Sequence, residues 1–99
     1  MRKFGMLDPI IHAPIRLAIL TVLISVKSAD FTFLKEATET TDGNLSTHIQ
    51  KLENAKYVKV SKSFVGKKPK TTLSITKLGR KAYENYVEEF SAYLKHTSG

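Results

Sequence analysis

The chain has 99 residues, of which 41% are hydrophobic, with a formal net charge of +7 and no cysteine. The length suits one domain and the hydrophobic fraction suits a packed core, which argues against a disordered chain. The lack of cysteine excludes disulfides, thiolate metal sites and cysteine nucleophiles. The longest apolar passage, from Leu17 to Val26, is far shorter than the ~20 residues that span a bilayer. Because no signal peptide is recognisable either, we expect a cytoplasmic protein without a membrane partner.

The chain is expected to begin with a short lead-in turn and a largely buried helix. Asp8 and Pro9 suit the cap and first position of the turn. Pro14 then starts a helix that runs to Ser25 or Lys27. Its apolar residues are too dense for a one-sided surface helix, so we expect this helix to be largely buried.

Two further helices are predicted before residue 55. The second spans 33–38 with Thr32 as its cap, and Phe31 before it suits a very short strand. Its inward residues are expected to be Phe33, Leu34 and Ala37. The third is capped by Thr41 or Asp42 and runs to about Asn54. Its apolar residues recur at i, i+4 and i+7, which defines one helical face: Leu45, Ile49 and Leu52.

A hairpin and a long helix are predicted after residue 56. Alternating apolar and polar residues favour strands at 57–64 and 71–76, joined by six residues in which Gly66 and Pro69 favour a turn. Thr76 then caps a helix from 77 to about 95, which is longer than so small a domain needs.

Positive charge is concentrated on the hairpin and its neighbours. Ten basic residues and one acidic residue, Glu53, lie between Lys51 and Lys81, whereas the rest of the chain carries six basic and eight acidic residues. Such a field suits a polyanion, and nucleic acid in the first place. The lysines expected to hold the phosphate backbone are Lys62, Lys67, Lys68 and Lys70.

The outward face of the third helix is polar. When its apolar face points into the core, Thr47 and Lys51 point almost directly away from it. Taken alone, this face could equally be an ordinary solvated surface, but the basic hairpin beside it favours nucleic-acid contact. Asn and Gln bind adenine edges, and Ser and Thr bind bases or phosphates. We expect base contacts from Asn44, Thr47, Gln50 and Lys51, and phosphate contacts from Ser46, His48 and Arg16.

Three helices followed by a two-stranded hairpin is the element order of a winged helix-turn-helix. We therefore predict a mainly helical α+β fold with a three-helix core, a two-stranded hairpin wing and a long C-terminal helix. Residues 1–99 would form one domain, with a core over 8–76 and a last helix over 77–95. The recognition helix, 42–54, would lie in the major groove and the wing, 62–71, on the adjacent backbone or minor groove.

Catalytic and metal-binding patterns are not recognisable. No Ser–His–Asp arrangement or phosphate-binding glycine loop stands out, and His12, His48 and His96 lie far apart in the chain. Asp8 and His12 are four residues apart, but two ligands make a poor metal site. We expect no enzymatic activity and no metal or other cofactor.

Three segments together carry a family resemblance. The segment 42–58 resembles the recognition-helix signature of MarR/ArsR-like winged-helix transcriptional regulators, 14–20 their first core helix, and 72–80 the end of their wing and start of their last helix. The resemblance covers about 8–93 and implies a DNA-binding regulator, with repression as the expected direction. It would place Ser46, Thr47 and His48 against DNA.

The chain also departs from that family pattern. The usual glycine after Ala55 is Lys56 here, so we expect the turn into the first wing strand to differ. The cysteine-containing or clustered histidine sites of metal-sensing members are lacking, so metal sensing is not expected. Full-length MarR-type proteins also carry added helices around a ligand pocket, whereas this chain matches the minimal domain with one extra helix.

The last helix carries more apolar surface than its own core needs. A second copy of the same helix would cover it in an isologous dimer, as the resemblance also implies; a monomer with a partly exposed aromatic stripe is the alternative. The expected dimer residues are Tyr83, Tyr86, Phe90, Tyr93 and Leu94. A dimer would present two recognition helices to a roughly palindromic operator in double-stranded DNA. A second hypothesis is a winged-helix RNA-binding or protein-interaction module, in which the third helix does not enter DNA.

Overall fold

The computed structural model describes residues 7–98, which form four helices and one three-stranded sheet. The helices are α1 (Pro14–Leu23), α2 (Phe31–Thr38), α3 (Asp42–Asn54) and α4 (Lys77–Ser98), and the strands are β1 (Ala29–Asp30), β2 (Val58–Val65) and β3 (Lys68–Ile75). The predicted mainly helical α+β winged helix-turn-helix is thereby confirmed. Among residues 7–98, no helix combines the length and apolar character needed to cross a membrane.

The sheet is antiparallel, with the strand order β1-β3-β2. β2 and β3 pair along their whole length, whereas β1 adds only the pairs Ala29↔Leu73 and Asp30↔Thr72. The base of the hairpin is therefore held in a three-stranded sheet, and its outer part projects as a two-stranded ribbon. We call this outer part, residues 62–71, the wing.

The core lies between the helices and the inner face of the sheet. It combines side chains from all four helices, the lead-in turn and the sheet: Ile11, Ile19, Leu20, Leu23, Ala29, Leu34, Leu45, Ile49, Leu52, Val58, Leu73 and Tyr86. The predicted inward face of α3, formed by Leu45, Ile49 and Leu52, is among them and is confirmed. This face fixes how α3 is rotated about its own axis, and hence which of its residues face solvent.

The predictions for α1 and α2 need correction. α1 ends at Leu23 rather than at Ser25 or Lys27. α2 begins two residues earlier than expected, because Asp30 Oδ1, and not Thr32, caps it by accepting a hydrogen bond from Phe33 N at 2.7 Å. The short strand consequently lies at Ala29–Asp30 and not at Phe31.

The inward face of α2 was also predicted wrongly. Leu34 is fully buried, but Phe33 is 52% exposed and Ala37 is exposed too. The earlier start explains this, because the helix turns Phe31, Leu34 and Thr38 toward the core, at i, i+3 and i+7.

The wing has a tighter tip than the six-residue loop that we predicted. Val65 pairs with Lys68, so that only Gly66 and Lys67 form the turn. Gly66 has a φ of +65°, which suits the first central position of a type II′ turn. Pro69 consequently lies inside β3, where β1 does not cover the strand edge and a missing N–H is tolerated.

α3 ends in a Schellman motif that supports the first wing strand. Tyr57 N donates to Leu52 O at 3.0 Å, and Lys56 N donates to Glu53 O at 2.9 Å. Lys56 takes a φ of 64°, a left-handed conformation that glycine adopts more readily. Lys56 thus holds the left-handed position at which glycine is usual in this motif.

Replacing Lys56 by glycine should therefore stabilise the domain. We expect Lys56→Gly to raise the free energy of unfolding by about 1 kcal/mol, because it removes the steric cost of a left-handed side chain. Lys59→Gly is the matched control, since it removes the same charge from an exposed, extended position in β2 and should be destabilising. Urea unfolding of both variants checks this, and a loss of stability in Lys56→Gly contradicts it.

Candidate nucleic-acid interface

The outward face of α3 is open to solvent. Thr41 Oγ1 caps the helix by accepting from Asn44 N at 3.2 Å, and the buried apolar face holds it against the core. Five of the six predicted contact residues on the helix are exposed: Asn44, Ser46, Thr47, Gln50 and Lys51. The sixth, His48, is half-buried. The polar side chains on this face of α3 are thus available to contact a ligand.

The wing and α3 border one groove. Ser46, Gln50 and Glu53 line it from the helix, while Lys62 and Thr71 line it from the wing. Phe31 and two core-side apolar residues, Ile49 and Val60, complete the wall. α3 and the groove face of the wing are therefore turned to the same side of the molecule, and Lys62 is the wing lysine that lines the groove.

The wing lysines lie on both faces of the ribbon. Because side chains alternate along a strand, Lys62 shares the groove face with Val60, whereas Lys68 and Lys70 lie on the opposite face. Lys67 stands at the turn between them. All four lysines are exposed. Positive charge on both faces and the tip suits phosphates on the two strands that flank a groove.

Thr47 has a specific hydrogen-bonding state. Its hydroxyl donates to Gly43 O, one helical turn earlier, at 3.0 Å. The hydroxyl proton is therefore occupied, and the side chain presents oxygen lone pairs and a methyl group. These groups fit the amino groups of adenine or cytosine and the methyl group of thymine, respectively.

Arg16 and His48 form a pair that links α1 to α3. Arg16 Nη1 lies 2.9 Å from His48 Nδ1, and Arg16 also donates to two carbonyls of the lead-in turn, Ile10 O at 2.5 Å and Pro9 O at 3.4 Å. Since arginine can only donate, Nδ1 of His48 must accept and Nε2 must carry the proton. The structure thus brings together two residues that sequence reasoning assigned separately to phosphate.

The pair and its surroundings disfavour a charge on His48. Partial burial lowers the pKa of His48 below its ordinary value of 6.5, and the neighbouring charges of Arg16 and Lys51 lower this pKa further. The lowered pKa favours the neutral imidazole of His48, with its proton on Nε2.

Removing Arg16 should partly reverse this shift. We expect Arg16→Gln to raise the pKa of His48 toward 6.5 without reaching it, because burial, the largest cause, and Lys51 remain. In the wild type, the depressed pKa means that stability is present above pH 6.5 and is lost as the pH falls through the folded-state value. NMR titration of the imidazole checks both statements. A His48 pKa at or above 6.5 in the wild type contradicts the pairing.

The lead-in turn is tied to the rest of the domain by Asp8 and His12. Asp8 Oδ1 accepts from Ile10 N, and Asp8 Oδ2 accepts from the Tyr57 hydroxyl at 2.5 Å. Burial, together with the bond to Asp8 and its charge, raises the pKa of Tyr57 to about 12. His12 Nδ1 contacts the Tyr86 hydroxyl at 2.8 Å. Asp8 and His12 thus have separate structural partners, and the described residues hold no cluster of three or more potential metal ligands.

α4 divides its aromatic residues between the core and the surface. Tyr86 is only 4% exposed and belongs to the core, which corrects its expected place in a dimer contact. Tyr83 is half-buried, with its hydroxyl 3.0 Å from Thr21 Oγ1, and Tyr93 is half-buried too. The other two expected residues, Phe90 and Leu94, are 39% and 56% exposed. Val87, which was not among the expected dimer residues, is 43% exposed.

The family follows from a comparison over most of the chain. A family model described as a winged helix DNA-binding domain matches residues 15–94, including α3 and the whole wing. The chain belongs to this family. This winged helix DNA-binding domain is also 39% identical over 87 residues to the uncharacterized protein MJ0432 of Methanocaldococcus jannaschii, across 88% of the chain and 95% of that protein.

Solved structures share the same fold. The domain is similar to a transcriptional regulator homologue from Pyrococcus horikoshii OT3, with a TM-score of 0.81 and 28% identity over 89% of this chain and 87% of that one. A putative transcriptional regulator, ytfH, from Salmonella typhimurium gives a TM-score of 0.72 at 17% identity, over 87% and 75%. NadR in complex with 4-hydroxyphenylacetate gives 0.69 at 22%, over 92% and 69%. The last two likenesses concern the fold alone.

Proposed function

We propose that this winged helix DNA-binding domain is a dimeric, sequence-specific transcriptional regulator of MarR/ArsR type that represses by occupying promoter DNA. Residues 1–99 would act as one cytoplasmic domain, with 8–76 binding DNA and 77–95 forming the dimer. The observation that carries the proposal is the groove shared by α3 and the wing, because it brings Ser46 and Gln50 of α3 and Lys62 of the wing to one side of the molecule. The likeness to the Pyrococcus horikoshii transcriptional regulator homologue supports it.

Base reading is assigned to the exposed face of α3. In the major groove, Asn44 and Gln50 would bind adenine edges, Lys51 would bind guanine, and Thr47 would act through its lone pairs and methyl group. This assignment is supported by the exposure of all four side chains and by the occupied hydroxyl proton of Thr47.

Phosphate binding is assigned to the residues around this face. Ser46 lies at the groove, and His48 would donate from Nε2 while Arg16 holds the ring in that tautomer. The wing lysines Lys62, Lys67, Lys68 and Lys70 would position the duplex without reading its sequence.

A dimer is supported by the exposed apolar stripe on α4. Val87, Phe90 and Leu94 are spaced three and four residues apart, which places them on one face of the helix. Tyr83 and Tyr93 would border this stripe. Two copies joined there would carry two recognition helices to a roughly palindromic operator.

The decisive experiment separates base reading from charge. A preferred site is first selected from a random duplex library, and Thr47→Ala and Lys68→Ala are then titrated against that site and a scrambled duplex. Thr47→Ala should lose about tenfold in affinity for the selected site and little for the scrambled one, as expected for one base contact. Lys68→Ala should weaken both alike and reduce the salt slope by about 0.9.

The outcomes also test the alternative function. An equal loss in both variants removes the base-reading assignment. Structured RNA that outcompetes the selected duplex at physiological salt favours an RNA-binding module and contradicts the regulator.

A further inference from the structure

The tip of the wing carries apolar side chains where a solvated ribbon would carry polar ones. Phe64 is 74% exposed and Val65 is 61% exposed, the two highest values among the exposed large hydrophobic side chains of residues 7–95. A single exposed apolar residue needs no explanation, but here an aromatic ring stands at the end of a projecting ribbon.

The register places a second apolar residue beside the ring. Phe64 and Pro69 are cross-strand partners, and the alternation along β2 puts both on the face that carries Lys62 and borders the groove. Directly opposite residues have Cβ atoms about 5 Å apart. Phe64 and Pro69 thus form one apolar ridge at the tip, on the side that faces the proposed duplex.

The charges around this ridge indicate what can cover it. Lys62 shares its face, Lys67 stands at the turn, and Lys68 and Lys70 lie on the other face of the ribbon. No acidic residue lies between Lys56 and Lys81, and the acidic side chain that lines a pocket with Pro69 is Asp30, where Lys68 and Lys70 outnumber it. A second wing, or any basic surface, would be repelled. A partner must be strongly anionic outside and apolar within reach of the tip, and a nucleic-acid duplex, with phosphates outside stacked bases, has this chemistry.

The dimensions add a second argument. A ribbon with side chains on both faces is about 10 Å thick, whereas the minor groove of B-DNA is about 6 Å wide. The wing can enter that groove only where it is widened. Phe and Pro are among the side chains that wedge between base pairs, and such insertion unstacks a step and opens the minor groove.

Resting on the proposed DNA binding, we propose that Phe64 and Pro69 form a wedge that enters the minor groove, unstacks one base step and bends the duplex. The lysines around the wedge hold the phosphates of the two strands that flank the widened groove. Specificity then comes in part from deformability: steps such as TA are favoured under the wing, and stiff A-tracts are disfavoured, at base pairs that α3 does not read.

The test uses duplexes of about 30 base pairs with a fluorophore at each end, one carrying TA steps and the other an A-tract of equal composition. At low salt the full chain should bind both, and on the TA duplex it should shorten the end-to-end distance by a bend of roughly 20–90°. Phe64→Ser, at an exposed position, should bind with at most about tenfold lower affinity and leave the saturated duplex straight.

Two controls make the result specific. Phe64→Leu keeps an apolar wedge and should keep the bend. Lys68→Ala should lower the affinity and keep the bend once the duplex is saturated. Binding without bending by the wild type, or an equal bend in Phe64→Ser, overturns the wedge and leaves the proposed regulator intact. Failure to bind either duplex at low salt overturns both.

Discussion

Gly79→Ala is expected to destabilise the domain by about 3 kcal/mol or more, the largest effect of a single methyl group that we predict for this fold. A Cβ at this position would lie 2.1 Å from Tyr57 O and 2.8 Å from Tyr57 C. Both are backbone atoms, so no side-chain rotation can relieve the clash. The helix would have to move away from the first wing strand.

The surrounding hydrogen bonds make that movement costly. Thr76 N donates to Tyr57 O at 3.0 Å, Thr76 Oγ1 donates to Lys56 O at 2.7 Å, and Gly79 N donates to Thr76 Oγ1 at 2.9 Å. The cap of α4 is thus bonded to the turn that ends α3. Displacing α4 would break this junction, which joins the base of the wing to the end of α3.

Gly43→Ala is the matched control for Gly79→Ala. Gly43 is also helical, but a Cβ there meets nothing within 4 Å. This variant should be slightly stabilised, by about 0.5–1 kcal/mol, because alanine loses less backbone entropy in a helix. Urea unfolding followed by circular dichroism compares the two. Similar stabilities of the two variants would contradict the close contact between Gly79 and the backbone of Tyr57.

Sequence reasoning succeeded where one periodic pattern dominates. Leu45, Ile49 and Leu52 identify the buried face of α3 without ambiguity, and the outward face follows from it by geometry. The predicted start of α2 was wrong because Asp30 and Thr32 are both good cap residues. The position of β1 was wrong because a two-residue strand is too short to show a periodic pattern. Tertiary pairing with β3, which local sequence does not encode, decided between the two cap residues.

The candidate site shows the same division. The exposure of Thr47 and Lys51 follows from helical angle alone, but the bond between Arg16 and His48 joins residues 32 positions apart. The wing tip was predicted too loosely, because Gly66 and Pro69 both favour turns and only strand pairing shows that Pro69 lies in β3. On α4, apolar spacing identified the stripe, but it did not distinguish Tyr86, which packs on its own core, from Val87 beside it.

Introducing a charge into the exposed stripe of α4 should separate the proposed dimer. Val87→Glu places a carboxylate at a position that is 43% exposed in one chain and would be covered by the partner helix. Because the contact is isologous, two carboxylates would be brought together, and we expect a monomer of 11.1 kDa in place of a dimer of twice that mass. Sedimentation or light scattering measures this directly.

Loss of the dimer should lower the affinity for DNA more than loss of any single contact made by α3. Once one subunit has bound its half-site, the other subunit meets the second half-site at an effective concentration in the millimolar range. Separate monomers lose this advantage. Val87→Glu should therefore weaken operator binding by about 100-fold or more. Binding to an isolated half-site should be nearly unchanged, because α3 and the wing are untouched. Asn85→Glu, about 160° around the helix from Val87, adds the same charge and should leave both mass and affinity close to wild type. A Val87→Glu protein that remains a dimer would place the contact elsewhere, and a wild type that is monomeric at the concentrations that saturate the operator would refute the two-fold arrangement.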